Sequence, residues 1–133
     1  MKAVLQRANY SKIVIDGEIV AETGRGLVVL FCVEKGDEDS FCQEMAYKTV
    51  NLRIFEDDNG RMGKSVKDID GELLIISQFT LAGNCKKGLR PDFMGAMPPD
   101  EARRIYDYFI DECRKNYCPE KIKTGVFAAD MKV

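Results

Sequence analysis

Alternating apolar and polar residues dominate the first third of the chain. KIVIDGEIV, residues 12–20, contains two alternating segments that meet at Asp16-Gly17, a dipeptide that favours a tight hairpin turn. A short strand, VLQR, precedes this hairpin, and LVVLFCV, residues 27–33, follows it. Because LVVLFCV is apolar on both faces, it is typical of a central or covered strand. The pattern therefore predicts a β meander over this part of the chain.

Apolar residues recur at three- and four-residue spacing in two later segments. EDSFCQEMAYKTVNL, residues 38–52, has acids in its first turn and predicts an amphipathic helix that begins near Asp37. PPDEARRIYDYFIDECRKN, residues 98–116, starts with proline and acids and ends with cations, so it predicts a second helix from about Pro99. The two apolar stripes consist of Phe41, Met45, Ala46, Thr49 and Val50, and of Ala102, Ile105, Phe109 and Cys113.

Shorter segments complete the predicted fold. RIF, residues 53–55, predicts a short strand, EDDNGRMGKS a hairpin or loop at Asn59-Gly60, and TGVFAADMKV, residues 124–133, a final turn and strand. Together the elements predict a single α+β domain over residues 1–133. Its strongly twisted sheet is mixed or antiparallel, or forms a partial β-barrel, and the two amphipathic helices cover it.

The segment LLIISQFTL, residues 73–81, begins as an apolar strand and then introduces polar residues. Ser77, Gln78 and Thr80 place polar side chains where the pattern still calls for an interior position, and an unpartnered buried polar group costs about 1–3 kcal/mol. In a structural interpretation these groups satisfy the backbone of a neighbouring loop. In a functional interpretation the backbone N–H groups and hydroxyls at this end of the strand stabilise a developing oxyanion. Thr80 as a nucleophile is less attractive, because a hydroxyl needs a nearby base.

The chain contains no histidine, which excludes Ser-His and Cys-His hydrolase mechanisms and histidine acid–base catalysis. Any catalysis must use backbone groups, hydroxyls, carboxylates, lysines or the substrate itself. The net charge of −2 provides no overall basic field for nucleic acid, so a nucleic-acid partner needs a local patch and DNA is not expected.

The five cysteines form an odd set without a C-x-x-C pair, which fits a reducing compartment rather than a disulfide framework. Cys113 and Cys118 are the closest pair, but no histidine is present to complete a zinc site, so we expect no metal and no cofactor. No apolar run reaches the roughly 20 residues that span a bilayer, and the N-terminus lacks the features of a signal peptide. We therefore expect a cytoplasmic protein without a membrane partner.

A cluster of cations follows the polar end of the strand. CKKGLRP, residues 85–91, places Lys86, Lys87 and Arg90 around Gly88, in an irregular stretch that runs to Pro99. This loop is either a solvated charged loop, which is the commoner case, or a phosphate-binding loop. Neighbouring Phe93 and Met94 either contact a nucleic-acid base or anchor the loop to the core.

Several blocks of the sequence, in order, resemble one family along the whole chain. They are MKAVLQR, DGEIV, GRGLVVL, NLRIFEDDNGRM, SQFTL, KKGLRPDF and TGVFAADMKV. The chain resembles the D-aminoacyl-tRNA deacylase (D-tyrosyl-tRNA(Tyr) deacylase) family, in its SQFTL-bearing main branch. The resemblance implies a homodimeric, metal-free proofreading hydrolase. It would cleave the ester that joins a D-amino acid, or glycine, to the 3′-terminal adenosine of tRNA.

The resemblance also implies roles for individual residues. Ser77, Gln78, Phe79 and Thr80 match the family's active-site motif, and Phe127 and Met131 match positions expected near the terminal adenosine. Two mechanisms are open: a threonine nucleophile, or backbone oxyanion support assisted by the 2′-hydroxyl of the RNA. The absence of histidine favours the second. We expect Lys86, Lys87 and Arg90 to contact tRNA phosphates and Phe93 to contact the tRNA end.

The resemblance implies one further signature, a Gly-cisPro dipeptide after the A-D-M block that crosses the dimer and excludes L-amino acids. None of the four prolines is preceded by glycine, so the chain either is a piece of a longer protein or has lost this chirality filter. We expect the first alternative, in which this segment and a closing C-terminal strand lie outside the 133 residues. Two other functions compete with the hydrolase: a non-catalytic module that binds the 3′ end of RNA, and a structural dimer.

Overall fold

The computed structural model describes residues 1–133. Its eight strands are β1 (Lys2–Ala8), β2 (Ser11–Ile15), β3 (Glu18–Thr23), β4 (Gly26–Cys32), β5 (Phe55–Glu56), β6 (Met62–Lys64), β7 (Glu72–Ser77) and β8 (Ile122–Thr124). The helices are α1 (Asp39–Asn51) and α2 (Pro99–Asn116), with short 3-10 helices at Phe79–Ala82 and Pro119–Lys121.

A mixed four-stranded sheet with the order β1-β4-β7-β8 lies at the centre of the fold. β1 runs antiparallel to β4, while β4 and β7, and then β7 and β8, run parallel. The predicted α+β fold, in which two helices cover a mixed sheet, is confirmed. The sheet is not closed into a barrel. The predicted meander is wrong, because β1 pairs with β4 and not with β2, its neighbour in sequence.

The hairpin of β2 and β3 is confirmed and covers one face of the sheet. Asp16 and Gly17 both have positive φ angles, of 50° and 82°, which two-residue hairpin turns of this kind require. Ile13 of the hairpin is fully buried against Leu74 and Ile76 of β7. The end of the chain joins this layer, because Lys132 exchanges two backbone hydrogen bonds with β2.

The two helices pack on the opposite face of the sheet and form the larger core. The ring of Phe31 on β4 stacks on Phe109 of α2, with centroids 4.0 Å apart and planes 5° from parallel. The buried hydroxyl of Tyr106 donates a hydrogen bond of 2.9 Å to the carbonyl oxygen of Ile75. α2 is therefore attached to both central parallel strands, whose carboxyl ends lie beside each other. None of the helices is long and apolar enough to cross a lipid bilayer.

Three local predictions differ from the structure. In α1, Cys42 is buried, whereas Phe41 from the predicted stripe is 46% exposed. The predicted strand RIF begins only at its last residue, as β5. The predicted final strand is wrong: β8 ends at Thr124, and the residues after it form a turn and a single bridge between Lys132 and Val14. A three-residue strand such as β8 has too little pattern of its own to be recognised.

Candidate active site

A cleft of about 700 Å³ lies where the parallel strands β4 and β7 end. Open sheets with parallel strands commonly bind ligands at the carboxyl ends of those strands. Fourteen of the twenty lining residues are apolar. Seven of the candidate residues singled out from the sequence line this one cleft: Ser77, Gln78, Phe79, Phe93, Met94, Phe127 and Met131. The structure thus brings together segments that lie about fifty residues apart in the sequence.

The end of β7 turns sharply at the cleft. The backbone N–H of Gln78 still donates to the carbonyl of Phe31, at 2.7 Å, and the 3-10 helix then begins at Phe79. Below this turn, the buried thiol of Cys32 donates to the carbonyl of Phe79, with the sulfur 3.5 Å from the oxygen. Burial raises the pKa of Cys32, so the thiol stays protonated and remains a donor.

This contact determines where the next backbone N–H points. In a trans peptide the C=O and N–H groups point in opposite directions. Because the carbonyl of Phe79 points to the buried Cys32, the N–H of Thr80 points away from the interior. The first N–H groups of a helical turn have no acceptor within that turn. The Thr80 N–H is therefore an outward donor beside the cleft, whereas the Gln78 N–H is occupied by the sheet.

Thr80 itself is exposed and lies next to the lining residues. Its hydroxyl oxygen accepts a hydrogen bond from the side-chain amide of Gln78. No carboxylate or amine is bonded to this hydroxyl, so no side chain is placed to remove its proton. The geometry supports a hydroxyl that orients groups rather than one that attacks.

Aromatic rings define the walls of the cleft. Phe79 and Phe93 meet edge to face with centroids 5.5 Å apart, and Phe127 lies 5.7 Å from the ring of Tyr106. The contact with Phe79 favours the anchoring interpretation of Phe93 over a ring that is free to contact a base. Met131 closes the same wall, in van der Waals contact with the hairpin layer.

The predicted basic loop lies outside the cleft. Asn84 and Asp92 exchange two backbone hydrogen bonds, of 2.7 and 3.0 Å, which close the intervening residues into a projecting loop. Its cations Lys86, Lys87 and Arg90 are exposed and form no ion pair within the chain. Lys86 lines a separate groove of about 560 Å³ beside the 3-10 turn.

A family model described as D-Tyr-tRNA(Tyr) deacylase matches residues 4–133. The chain belongs to this deacylase family. A curated relative from Geobacter sulfurreducens, named D-aminoacyl-tRNA deacylase, is 51% identical and is matched over all of this chain and 86% of its own length.

Two solved structures are similar to this deacylase-family fold. One, described as "c-Myc DNA Unwinding Element Binding Protein", superposes with a TM-score of 0.94 at 42% identity, covering 99% of this chain and 89% of the other. The second is described as "Structural Analysis of a probable eukaryotic D-amino acid tRNA deacylase". It superposes with a TM-score of 0.81 at 17% identity, covering 98% of this chain and 90% of the other, and shows the shared fold alone.

The cleft also contains residues that the sequence did not single out. Lys35 and Asp130 are its only charged side chains, and Cys32 lies at its base. Asp130 stands directly before Met131, so the interpretation of the VFAADM block could have included it. Cys32 lies within the predicted strand LVVLFCV and Lys35 follows it, and neither carries a local signal, because only the packing of β4 against β7 places them here. No group of histidine, cysteine, aspartate or glutamate side chains is arranged to hold a metal ion.

Proposed function

We propose that this deacylase-family chain hydrolyses the ester bond of D-aminoacyl-tRNA to free D-amino acid and tRNA, as a proofreading step in translation. The observation that carries the proposal is the family match over nearly the whole chain. The family's motif residues, Ser77 to Phe79, line an apolar cleft, as a site for an aminoacyl ester requires. The substrates are D-amino acids or glycine esterified to the 3′ end of tRNA, and the protein acts in the cytoplasm without a cofactor.

The apolar walls suit the two ends of such a substrate. Phe127 and Met131 provide a surface on which the terminal adenosine packs, and Phe79 and Gln78 line the same cleft. The aminoacyl carbonyl would then lie near the Thr80 N–H. This placement agrees with the outward direction of that donor.

The chemistry requires little from side chains, because an aminoacyl ester is already activated. A water molecule attacks the carbonyl carbon, and the negative charge develops on the carbonyl oxygen, where the Thr80 N–H donates to it. The C–O bond to the 3′-oxygen then breaks, and that oxygen takes up a proton as the tRNA leaves. The neighbouring 2′-hydroxyl of the ribose orients the water and relays the proton, which is consistent with the lack of histidine in the chain.

We further propose that the protein acts as a homodimer whose second copy covers the cleft. The support is apolar surface at the cleft itself: Phe79 is 58% exposed and Met94 is 75% exposed. Exposed apolar groups that cluster around a site mark surfaces for partners or ligands.

The basic loop is proposed to contact the tRNA backbone. Replacing Lys86, Lys87 and Arg90 together by glutamine should raise KM for aminoacyl-tRNA and leave kcat nearly unchanged, because the loop lies outside the cleft. The plot of log(kcat/KM) against log[salt] should become shallower by roughly 2 units, since each lost phosphate contact removes about 0.7–0.9. The control is the triple glutamine variant of three exposed cations without side-chain partners, Lys12, Arg61 and Arg103. Equal salt slopes for both triple variants would exclude the loop as a tRNA contact.

Hydrolysis of D-tyrosyl-tRNA, with L-tyrosyl-tRNA as the stereochemical control, tests the function directly. We expect release of D-tyrosine that follows enzyme concentration and persists in the presence of a chelator. Absence of release from either ester would contradict the proposed function.

A second candidate is a nucleic-acid-binding protein without hydrolytic activity. The exposed basic loop favours it, and so does the description of the structural relative at 42% identity as a DNA-unwinding-element-binding protein. Salt-dependent binding of charged and uncharged tRNA with equal affinity, without turnover, would support this function over hydrolysis.

A further inference from the structure

The wall segment of the cleft, residues 125–131, is attached to β7 at the backbone carbonyl of Ile75. This oxygen accepts two hydrogen bonds, from the N–H of Gly125 at 3.0 Å and from the buried hydroxyl of Tyr106 at 2.9 Å. We propose that Tyr106 is a positioning residue for the nucleoside end of the substrate, which it orients through this carbonyl and through the ring of Phe127. The inference rests on the proposed function and adds to it a residue that does not itself line the cleft.

The hydroxyl of Tyr106 fixes the point at which the wall segment leaves the sheet. Gly125 comes directly after β8, and a turn follows, closed by a 3.2 Å bond from the N–H of Ala129 to the carbonyl of Val126. Tyr106 is 3% exposed, and burial raises its pKa, so the phenol stays protonated and remains a donor. A carbonyl oxygen has two acceptor sites. Both sites of Ile75 are therefore occupied, and the start of the wall segment is tied to α2 as well as to β7.

The ring of Tyr106 contacts Phe127 from the core. The two ring centroids lie 5.7 Å apart, with the planes at 45°. Phe127 is half-buried and lines the cleft, whereas Tyr106 belongs to the buried core between α2 and the sheet. A ring with a fixed neighbour loses less freedom when a ligand packs on it, so it binds that ligand more tightly.

Gly125 connects the same carbonyl with Met131, the second apolar residue of the wall. A Cβ atom at Gly125 would lie 2.5 Å from the sulfur of Met131 and 3.2 Å from Cδ1 of Ile13. Met131 therefore packs directly on the backbone of Gly125, whose N–H is bonded to Ile75. The carbonyl of Ile75 thus relates both apolar residues of the wall segment to the end of β7.

Two substitutions separate the contacts of Tyr106. Tyr106→Phe removes the hydroxyl and keeps the ring, and Tyr106→Leu removes both. The probe is the non-hydrolysable amide 3′-(D-tyrosylamino)-3′-deoxyadenosine, with Kd measured by calorimetry. We expect Tyr106→Phe to weaken binding roughly 3- to 10-fold, because one hydrogen bond is lost, and Tyr106→Leu to weaken it further. With D-tyrosyl-tRNA, KM should rise by a similar factor while kcat stays within about twofold, because the Thr80 N–H is untouched.

Tyr117→Phe is the matched control for a purely structural effect. The Tyr117 hydroxyl donates to the carbonyl of Gly71 at 2.8 Å, just before β7 begins and at the opposite end of that strand from the cleft. The variant loses the same kind of hydrogen bond, so it should lower the melting temperature about as Tyr106→Phe does and leave Kd and KM unchanged. Phe127→Leu tests the coupling: in this background Tyr106→Leu should weaken binding by a smaller factor than in the wild type.

The proposal is overturned if Tyr106→Phe and Tyr117→Phe change Kd and KM equally, because both would then report stability alone. Fully multiplicative effects of Tyr106→Leu and Phe127→Leu on Kd would also overturn it. If D-tyrosyl-tRNA is hydrolysed while the Tyr106 variants keep the wild-type Kd, only the positioning role fails. If the ester is not hydrolysed while Tyr106→Phe alone of the two phenylalanine variants weakens binding of the amide, the positioning role is supported and the proposed hydrolysis fails.

Discussion

Replacing Gly26 by alanine should lower the free energy of unfolding by roughly 3 kcal/mol or more. Gly26 begins β4 and pairs with Glu72, the first residue of the parallel strand β7. A Cβ atom at Gly26 would lie 1.8 Å from the carbonyl oxygen of Glu72 and 2.6 Å from its nitrogen. These are backbone atoms of a central strand, so the clash cannot be relieved by rotating a side chain. The two strands would have to separate where their pairing starts.

Gly24→Ala is the matched control. A Cβ atom there would meet only the flexible carboxylate of Glu72, at 3.7 Å, so we expect a change within about 1 kcal/mol. Urea unfolding followed by circular dichroism compares the two variants. Equal stabilities would contradict the close approach of β4 and β7 at Gly26. Activity should fall with stability in Gly26→Ala alone, because the pairing of these strands also holds Gln78 at the cleft.

The second large effect concerns catalysis. Replacing the Phe79–Thr80 amide by an ester, through the α-hydroxy analogue of threonine, should lower kcat about 10²- to 10³-fold. The substitution removes one outward N–H donor and keeps the Thr80 side chain. Loss of a single preorganised oxyanion donor has this magnitude in other acyl-transfer enzymes. Single-turnover hydrolysis of D-tyrosyl-tRNA measures it, and the melting temperature checks that the fold is retained.

Thr80→Ala is the complementary variant, because it removes the hydroxyl and keeps the N–H. We expect it to retain activity within about tenfold, since the hydroxyl has no base and already accepts a hydrogen bond from Gln78. Complete loss of turnover in Thr80→Ala, with tRNA still bound, would instead identify the hydroxyl as the nucleophile. Together the two variants distinguish the mechanisms that the SQFTL motif leaves open.

The turn from Gln78 to Thr80 is held by contacts that also belong to the core of the fold. The thiol of Cys32 and the carbonyl of Phe31, both at the end of β4, orient successive peptide groups of the segment from Gln78 to Thr80. The proposed oxyanion donor is therefore positioned by backbone and core contacts rather than by a network of polar side chains. This arrangement explains how a chain without histidine can present a functional site.

Much of the local structure could be predicted from the sequence, because local patterns encode it. The Asp16-Gly17 pair specifies the hairpin, since its residues adopt the positive φ angles of the turn. Proline and acids at the start of α2, and cations at its end, mark bounds that the structure reproduces. The motif blocks led to the family, which the family model then confirmed. The lack of histidine excluded whole classes of catalysis from composition alone.

The tertiary structure alone decided which distant segments meet. β1 pairs with β4 because the hairpin between them folds onto the face of the sheet. No local sequence pattern specifies this strand pairing. β8 is recognisable only as the partner of β7. The same packing places Lys35 and Asp130 in one cleft and the basic loop outside it. Residue type and spacing determine elements, but a site built from groups nearly a hundred residues apart exists only after burial of the shared core brings its strands together.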